Sequence, residues 1–349
     1  MTSLFVQPPL PPIAPIFDET KPIRSLLQKT GIQDLLNIAG TSEVAINRPG
    51  EIWNEENGRW RRHDAPHLTF DMCKELAILL SVTVNNDKAQ LQKTPICPVL
   101  LPDGQRGQIV MPPVTERGCI SFTIRQPSDV RFTLDDYHES GRLSGYKVIE
   151  KKGDIEDWEK EMVMCIKRDD MRKFFKMAIF HKLNLLFGGK TGSGKTTFSK
   201  AYVDLYPSAL RYGTIEDIHE LSMPFHPNRV HLFYGPHLPA RKCVESCMRM
   251  KYDHIFMSEL KGDETWSYFS LLNTGHEGSV TTAHFNNCRS APGRLAELVM
   301  QSEAGSKLSY DFVHRTVKTT IDGVFMWKGS YLTEVLYNPE EKLRLLNGE

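Results

Sequence analysis

Asn184-Leu185-Leu186-Phe187-Gly188-Gly189-Lys190-Thr191-Gly192-Ser193-Gly194-Lys195-Thr196-Thr197 is the stretch on which the reading of this chain turns. Asn184 to Phe187 has the length and apolar character of a buried strand, and Lys195 to Leu205 reads as a helix that stops before Pro207. Between them, Gly189 to Thr196 fits a phosphate-cradling P-loop at every fixed position. Glycines let backbone N–H groups turn inward around a β-phosphate at a helix N-terminus, where the helix dipole also favours negative charge. In such a loop Lys195 bridges the β- and γ-phosphates and Thr196 offers its hydroxyl to Mg²⁺. Gly189, Lys190, Thr191, Gly192, Ser193, Gly194 and Thr197 complete the expected cradle, so ATP and Mg²⁺ are the expected ligands.

Outward from this loop, helix and strand alternate. A helix is expected from Asp169 to His181, and strands at Leu210 to Ile215, Ile255 to Met257 and Ser279 to Ala283. Buried strands separated by helices imply a mostly parallel α/β sheet over residues 169–349. Gly323 to Trp327 and Tyr331 to Tyr337, around Gly329-Ser330, read as a closing hairpin. Upstream, a helix from Ile23 to Ile38, strands at Glu43 to Ile46 and Glu51 to Asn54, and the turn Asn57-Gly58 come first. A helix from Thr69 to Val82 and strands at Gln108 to Met111 and Cys119 to Arg125 complete a smaller α+β N-terminal domain over 23–138. Residues 139–168, rich in Lys, Glu, Asp and Gly, read as a linker that becomes a helix. Five prolines among the first 15 residues make 1–22 an extended tail.

A chain of 349 residues with 40% hydrophobic and 25% charged residues is expected to form two soluble globular domains. Lys plus Arg and Asp plus Glu number 43 each, so no net charge holds a polyanion, and no direct, specific nucleic-acid partner is expected. Seven scattered cysteines without a Cys-x-x-Cys pair argue for a reducing setting. No apolar run approaches the roughly 18 residues of a membrane span, and no signal peptide is evident. Arg59, Arg61 and Arg62 around Trp60 form a basic and aromatic cluster. It suits nucleic acid or an anionic lipid surface, or a solvated strand with one buried ring.

Hydrolysis also needs a group that orients or deprotonates water. Glu216 and Asp217 follow one predicted strand and Glu259 another, at carboxyl ends where α/β sheets place ligands. His276, Glu277 and His284 lack the His-Glu-x-x-His spacing that sets two imidazoles one helical turn apart, which argues against zinc.

Four blocks in order resemble the secretion ATPase family of traffic motors, which serve type II and type IV secretion and pilus assembly. They are the P-loop; Thr214-Ile215-Glu216-Asp217, similar to the aspartate box; Met250 to Glu259 with Leu260-Lys261-Gly262, similar to the atypical Walker B segment; and Asn273 to His276 through Thr281 to His284, similar to the histidine box. Ile46 to Glu51, and Asp103 to Arg106 through Ile124 to Ser128, resemble the amino-terminal domain of the VirB-type ATPase of type IV secretion and conjugation.

The resemblance implies a RecA-like C-terminal domain in a cytoplasmic homohexamer of two stacked rings. It also implies peripheral docking at the inner membrane, beside other secretion-channel ATPases and channel components. It implies that Glu216 activates water and that Glu259 organises Mg²⁺ through its water shell, with the identity of the base left open and Asp217 a further metal candidate. It implies that Arg106 and Arg125 reach the γ-phosphate from the N-terminal domain, and that His276 and His284 lie near it. Lys261 stands where relatives usually have Arg, which weakens a bidentate contact, and it is left out of the candidate site. The expected function is ATP hydrolysis that powers or gates substrate or pilus transfer. A nucleotide-gated scaffold with slow hydrolysis, or a helicase, are the alternatives.

Overall fold

The computed structural model describes residues 18, 20–85, 90–127, 131–148, 151, 153–262 and 264–349, so nearly all of the proline-rich arm lies outside the described residues. The first sheet contains β1 (Thr41–Ile46), β2 (Gly50–Glu56), β3 (Arg59–Ala65), β4 (Ile96–Leu100), β5 (Arg106–Val110) and β6 (Ser121–Arg125). Their order is β3-β2-β1-β6-β5-β4, antiparallel throughout. Helices Lys21–Thr30, Ile32–Leu36 and Phe70–Asn85 bury Ile23, Leu27, Ile32, Cys73, Leu76 and Leu80 against it.

The single helix expected from Ile23 to Ile38 is two helices, because Gly31 adopts φ 80° and ends one while opening the next. The sequence reading missed β4, where Pro98 interrupts the strand pattern. Proline donates no ladder hydrogen bond and is tolerated at a sheet edge, which is where β4 lies. The Arg59 to Arg62 cluster is on β3: Arg61 pairs with Glu56, and Arg62 with Glu51 and Asp64.

The second sheet contains β7 (Leu185–Gly189), β8 (Tyr212–Glu216), β9 (Arg229–Phe233), β10 (His254–Leu260), β11 (Val280–Ala283), β12 (Gly323–Lys328) and β13 (Tyr331–Tyr337). The order β13-β12-β7-β11-β10-β8-β9 is parallel except for the β12–β13 hairpin. Phe174, Phe175, Phe187, Tyr202 and Phe325 belong to one core layer, and Met257, Leu295, Val313 and Val324 to another. Such double coverage is what buried parallel strands require. Helix Asp157–Lys167, at the end of the expected linker, buries Met162 and Cys165 in the first of these layers and so belongs to that core. Strand β9 was also missed, because its alternate residues Arg229 and His231 are polar.

Arg211 joins the two sheets from a fully buried position just before β8. Its guanidinium donates to Asn47 Oδ1 (2.8 Å), Asn228 Oδ1 (2.6 Å), Thr123 Oγ1 (3.1 Å) and the Met250 carbonyl (2.9 Å). The rings of Trp60 and Tyr252 lie 5.1 and 5.3 Å from it. Phe233 N donates to Val114 O at 2.7 Å, which seats the first sheet on the β8–β9 side of the second. Among the described residues, no helix is long and apolar enough to cross a membrane.

Candidate functional site at the carboxyl ends of β7, β8 and β10

Strand β7 runs into the glycine loop, and helix Lys195–Val203 leaves it with Gly194, φ 91°, at the N-cap. Gly189 has φ 150°, and a Cβ there would overlap Ser193 Oγ and lie 2.5 Å from the Trp327 carbonyl of β12. Backbone meets backbone at that point, which only glycine permits. The hairpin turn packs on the loop through Ser330 N, which donates to Ser193 O at 3.0 Å. Lys195 is only 7% exposed, and burial lowers its pKa while Glu259 and Glu220 act to raise it. Lys190, Thr191, Gly192 and Thr197 are exposed, and Thr196 is half-buried at the start of the helix.

The two carboxylates differ sharply. Glu216, at the end of β8, has no exposed surface. Its Oε1 accepts from Thr214 Oγ1 at 2.6 Å and lies 3.4 Å from Nδ1 of both His219 and His231. Its Oε2 accepts from the backbone N–H groups of Glu220 (2.7 Å) and Leu221 (2.8 Å). Burial alone would raise its pKa, but His231, Thr214 and the two backbone donors outweigh it and hold the carboxyl at about 2. Glu259 is in contact with solvent. Its Oε1 lies 2.8 Å from His284 Nε2 and its Oε2 lies 3.1 Å from Lys261 Nζ. Lys261 also pairs with Asp217 Oδ2 at 2.6 Å.

Lys195, Glu259, His284 and Asp217 therefore gather beside the P-loop, and His284 is there because β11 pairs Ala283 with Gly188 of β7. His276 is not among them. It precedes β11, whose amino end pairs with Leu185, at the end of β7 away from the loop. Arg106 and Arg125 also lie elsewhere. They face each other across β5 and β6, and Arg125 Nε approaches Glu43 at 3.9 Å. Glu43 in turn feels Lys251 and Arg211, at the amino end of β8. The P-loop is at the other end of the strands and three strands across, ~20 Å away.

Thr214, His231 and Ser330 escaped the sequence reading as site residues, and Lys261 was weighed there and set aside. Thr214 precedes Glu216 by two, and Lys261 follows Glu259 by two, so the period of a strand puts each on its partner's side. His231 and Ser330 have no such local signal. A cleft of 580 Å³ continues past Gly189 and Lys190 between His284, Arg289, Arg294 and His314. Beside Glu216, Glu116, His219 and His231 bring ligand atoms within 4.8 Å of one another, and Arg229 Nε donates to His231 Nε2 at 3.2 Å.

Residues 162–326 match the family described as Type II/IV secretion system protein. A type IV secretion system protein VirB11 from Brucella abortus is 34% identical over 319 residues, covering 87% of each chain. The VirB11 of Bartonella quintana is 32% identical, covering 88% of this chain and 90% of its own. The crystal structure of the Brucella suis VirB11 ATPase, in complex with sulphate, superposes with a TM-score of 0.86 at 32% identity. It covers 94% of this chain and 98% of that one. With this breadth of identity and the shared two-sheet architecture, the chain belongs to the VirB11 family of type IV secretion ATPases.

Proposed function

We propose that the chain hydrolyses ATP at the carboxyl ends of β7, β8 and β10, and that it acts as a ring that powers or gates transfer through a type IV secretion channel. The observation that carries this reading is a buried Lys195 behind a backbone-tight glycine loop, with Glu259 as the carboxylate open to solvent beside it. Glu259 orients the attacking water and accepts its proton. Glu216, with both oxygens engaged and its carboxyl held at about 2, is a poor proton acceptor at neutral pH and serves to shape the loop that follows it.

The donor set suits Mg²⁺. A hydroxyl at Thr196 and the carboxylate of Glu259, beside Lys195, are both hard oxygen ligands, directly or through water. Bound there, Mg²⁺ would neutralise charge on the phosphate oxygens. Asp217, committed to Lys261, acts through that lysine.

The two sheets act as two domains, 23–138 and 169–349, with helix Asp157–Lys167 packed on the second and the residues before it joining them. Because Arg106 and Arg125 lie ~20 Å from the loop of their own chain, a γ-phosphate contact from them needs a neighbouring copy. This fits a homohexamer docked peripherally on inner-membrane channel components and partner ATPases. The Lys261 and His284 contacts to Glu259 also favour a second reading, a scaffold whose ATP state sets which partner docks.

The test is ATP turnover of the full chain against protein concentration, with oligomer mass followed. Lys195→Ala is expected to abolish turnover, and Arg106→Ala and Arg125→Ala to lower it without loss of assembly. Full turnover in Lys195→Ala would overturn the enzyme reading. Transfer that persists with ATP bound but unhydrolysed in Glu259→Gln would favour the scaffold.

A further inference from the structure

We infer that His231 is a positioning residue for hydrolysis: it orients Glu216 through Thr214, and Glu116 of the first-sheet unit ties that relay to the seating of the two units. This inference rests on the ATPase reading above.

Arginine carries five N–H donors and no acceptor. The 3.2 Å contact from Arg229 Nε therefore requires a lone pair on His231 Nε2 and places the ring proton on Nδ1. That proton faces Thr214 Oγ1 at 2.8 Å. Thr214 accepts it, and its own hydroxyl proton goes to Glu216 Oε1 at 2.6 Å. Hydrogen bonds thus run in one direction, from Arg229 to His231 to Thr214 to Glu216. Each is buried or half-buried, where such bonds hold geometry most firmly.

The far oxygen of Glu216 caps Glu220 N and Leu221 N and so fixes the loop that begins with Asp217. Asp217 holds Lys261, and Lys261 holds Glu259. A displaced Glu216 would shift the partners of Glu259 without touching the phosphate cradle. At the other end, the loop after β5 docks on β9 through Val114 O and brings the Glu116 carboxylate to His219 and His231. Arg229 also feels Glu116, together with Arg48, Glu51 and Cys119. A movement of the first sheet away from β9 would remove Glu116 and leave the Arg229 end of the relay unbalanced.

The experiment is steady-state ATP turnover of the full chain for wild type, His231→Phe, His231→Asn, Thr214→Val, Glu116→Gln and the Glu116→Gln/His231→Phe double variant, with urea unfolding of each. Phenylalanine keeps the ring and removes both nitrogens, whereas asparagine restores a donor near the Nδ1 position. His231→Phe and Thr214→Val are expected to lower kcat about 10-fold or more with KM within about 3-fold, the signature of a group acting after nucleotide has bound. His231→Asn recovers most of kcat. Glu116→Gln lowers kcat several-fold alone and adds little in the double variant.

The inference is overturned if the His231→Phe and Thr214→Val variants keep kcat within about 2-fold. It is equally overturned if kcat, KM and stability fall together with no recovery in His231→Asn, or if the Glu116 and His231 effects multiply independently. Should His231→Phe not fold, Thr214→Val decides. Absence of turnover in the wild type would instead sink the ATPase reading.

Discussion

A Glu216→Gln substitution removes one charge from a carboxylate that has no exposed surface and accepts from Thr214 and from the backbone N–H groups of Glu220 and Leu221, with His219 and His231 each 3.4 Å away. The folded chain holds that carboxyl at about 2, against an ordinary value of 4.5, which corresponds to roughly 3 kcal/mol in favour of the ionised form. Glutamine offers one acceptor oxygen and an NH₂ that confronts donors on the other side, so at least one buried donor is left unpaired, at about 1–3 kcal/mol. A loss of about 2–4 kcal/mol at pH 7 is expected, read from urea unfolding followed by circular dichroism.

The pH dependence carries its own sign. A carboxyl depressed in the folded state contributes its full stability above pH 4.5 and loses it as pH falls towards 2, so the difference between wild type and variant narrows below about pH 5. If the variant instead keeps its stability within about 0.5 kcal/mol while kcat falls more than about 100-fold, Glu216 is the reacting base and its assignment as a shaping residue is wrong.

Three further outcomes follow from local geometry. Gly189→Ala forces a Cβ against the Trp327 carbonyl at 2.5 Å, and affinity for a fluorescent ATP analogue should fall at least about 10-fold; unchanged affinity would contradict the backbone-contact argument. Arg211→Ala orphans acceptors on Asn47 and Met250 between the two sheets, so urea unfolding should show a loss of about 3–5 kcal/mol, and a loss under about 1 would refute its role as the joint. Glu43 is raised from 4.5 to about 7 by burial, with Arg125 and Lys251 opposing. The stability associated with its raised pKa is present below pH 4.5 and lost as pH rises through 7. Glu43→Gln should therefore gain about 2 kcal/mol over wild type at pH 8 and little at pH 4; no difference between the two pH values would refute it.

Much of the fold was legible because its signals are local. The apolar run before Gly189 and the turn Asn57-Gly58 each specify an element within a few residues, as does the hairpin around Gly329-Ser330. Where elements went unread, long-range burial had overridden local pattern. Arg229 and His231 make β9 look polar, yet Arg229 donates to His231 and to the His226 carbonyl, and His231 meets Thr214 of β8. Gly31 hid inside a helical period that its left-handed φ breaks.

For the site, the sequence by itself determined the phosphate cradle, because glycine freedom, Lys195 and the strand-to-helix context are contiguous in the chain. It also marked Glu216 and Glu259 as strand-end carboxylates. Only the tertiary structure decided their fates, burying one among donors from positions 214, 220, 221 and 231 and leaving the other facing Lys261 and His284. Strand order likewise separated His284 from His276 and set Arg106 and Arg125 far from the loop of their own chain. Spacing along a sequence encodes which residues share a turn or a strand face. The charge state and reach of a side chain depend on neighbours brought in by sheet order and domain docking, which no local pattern contains.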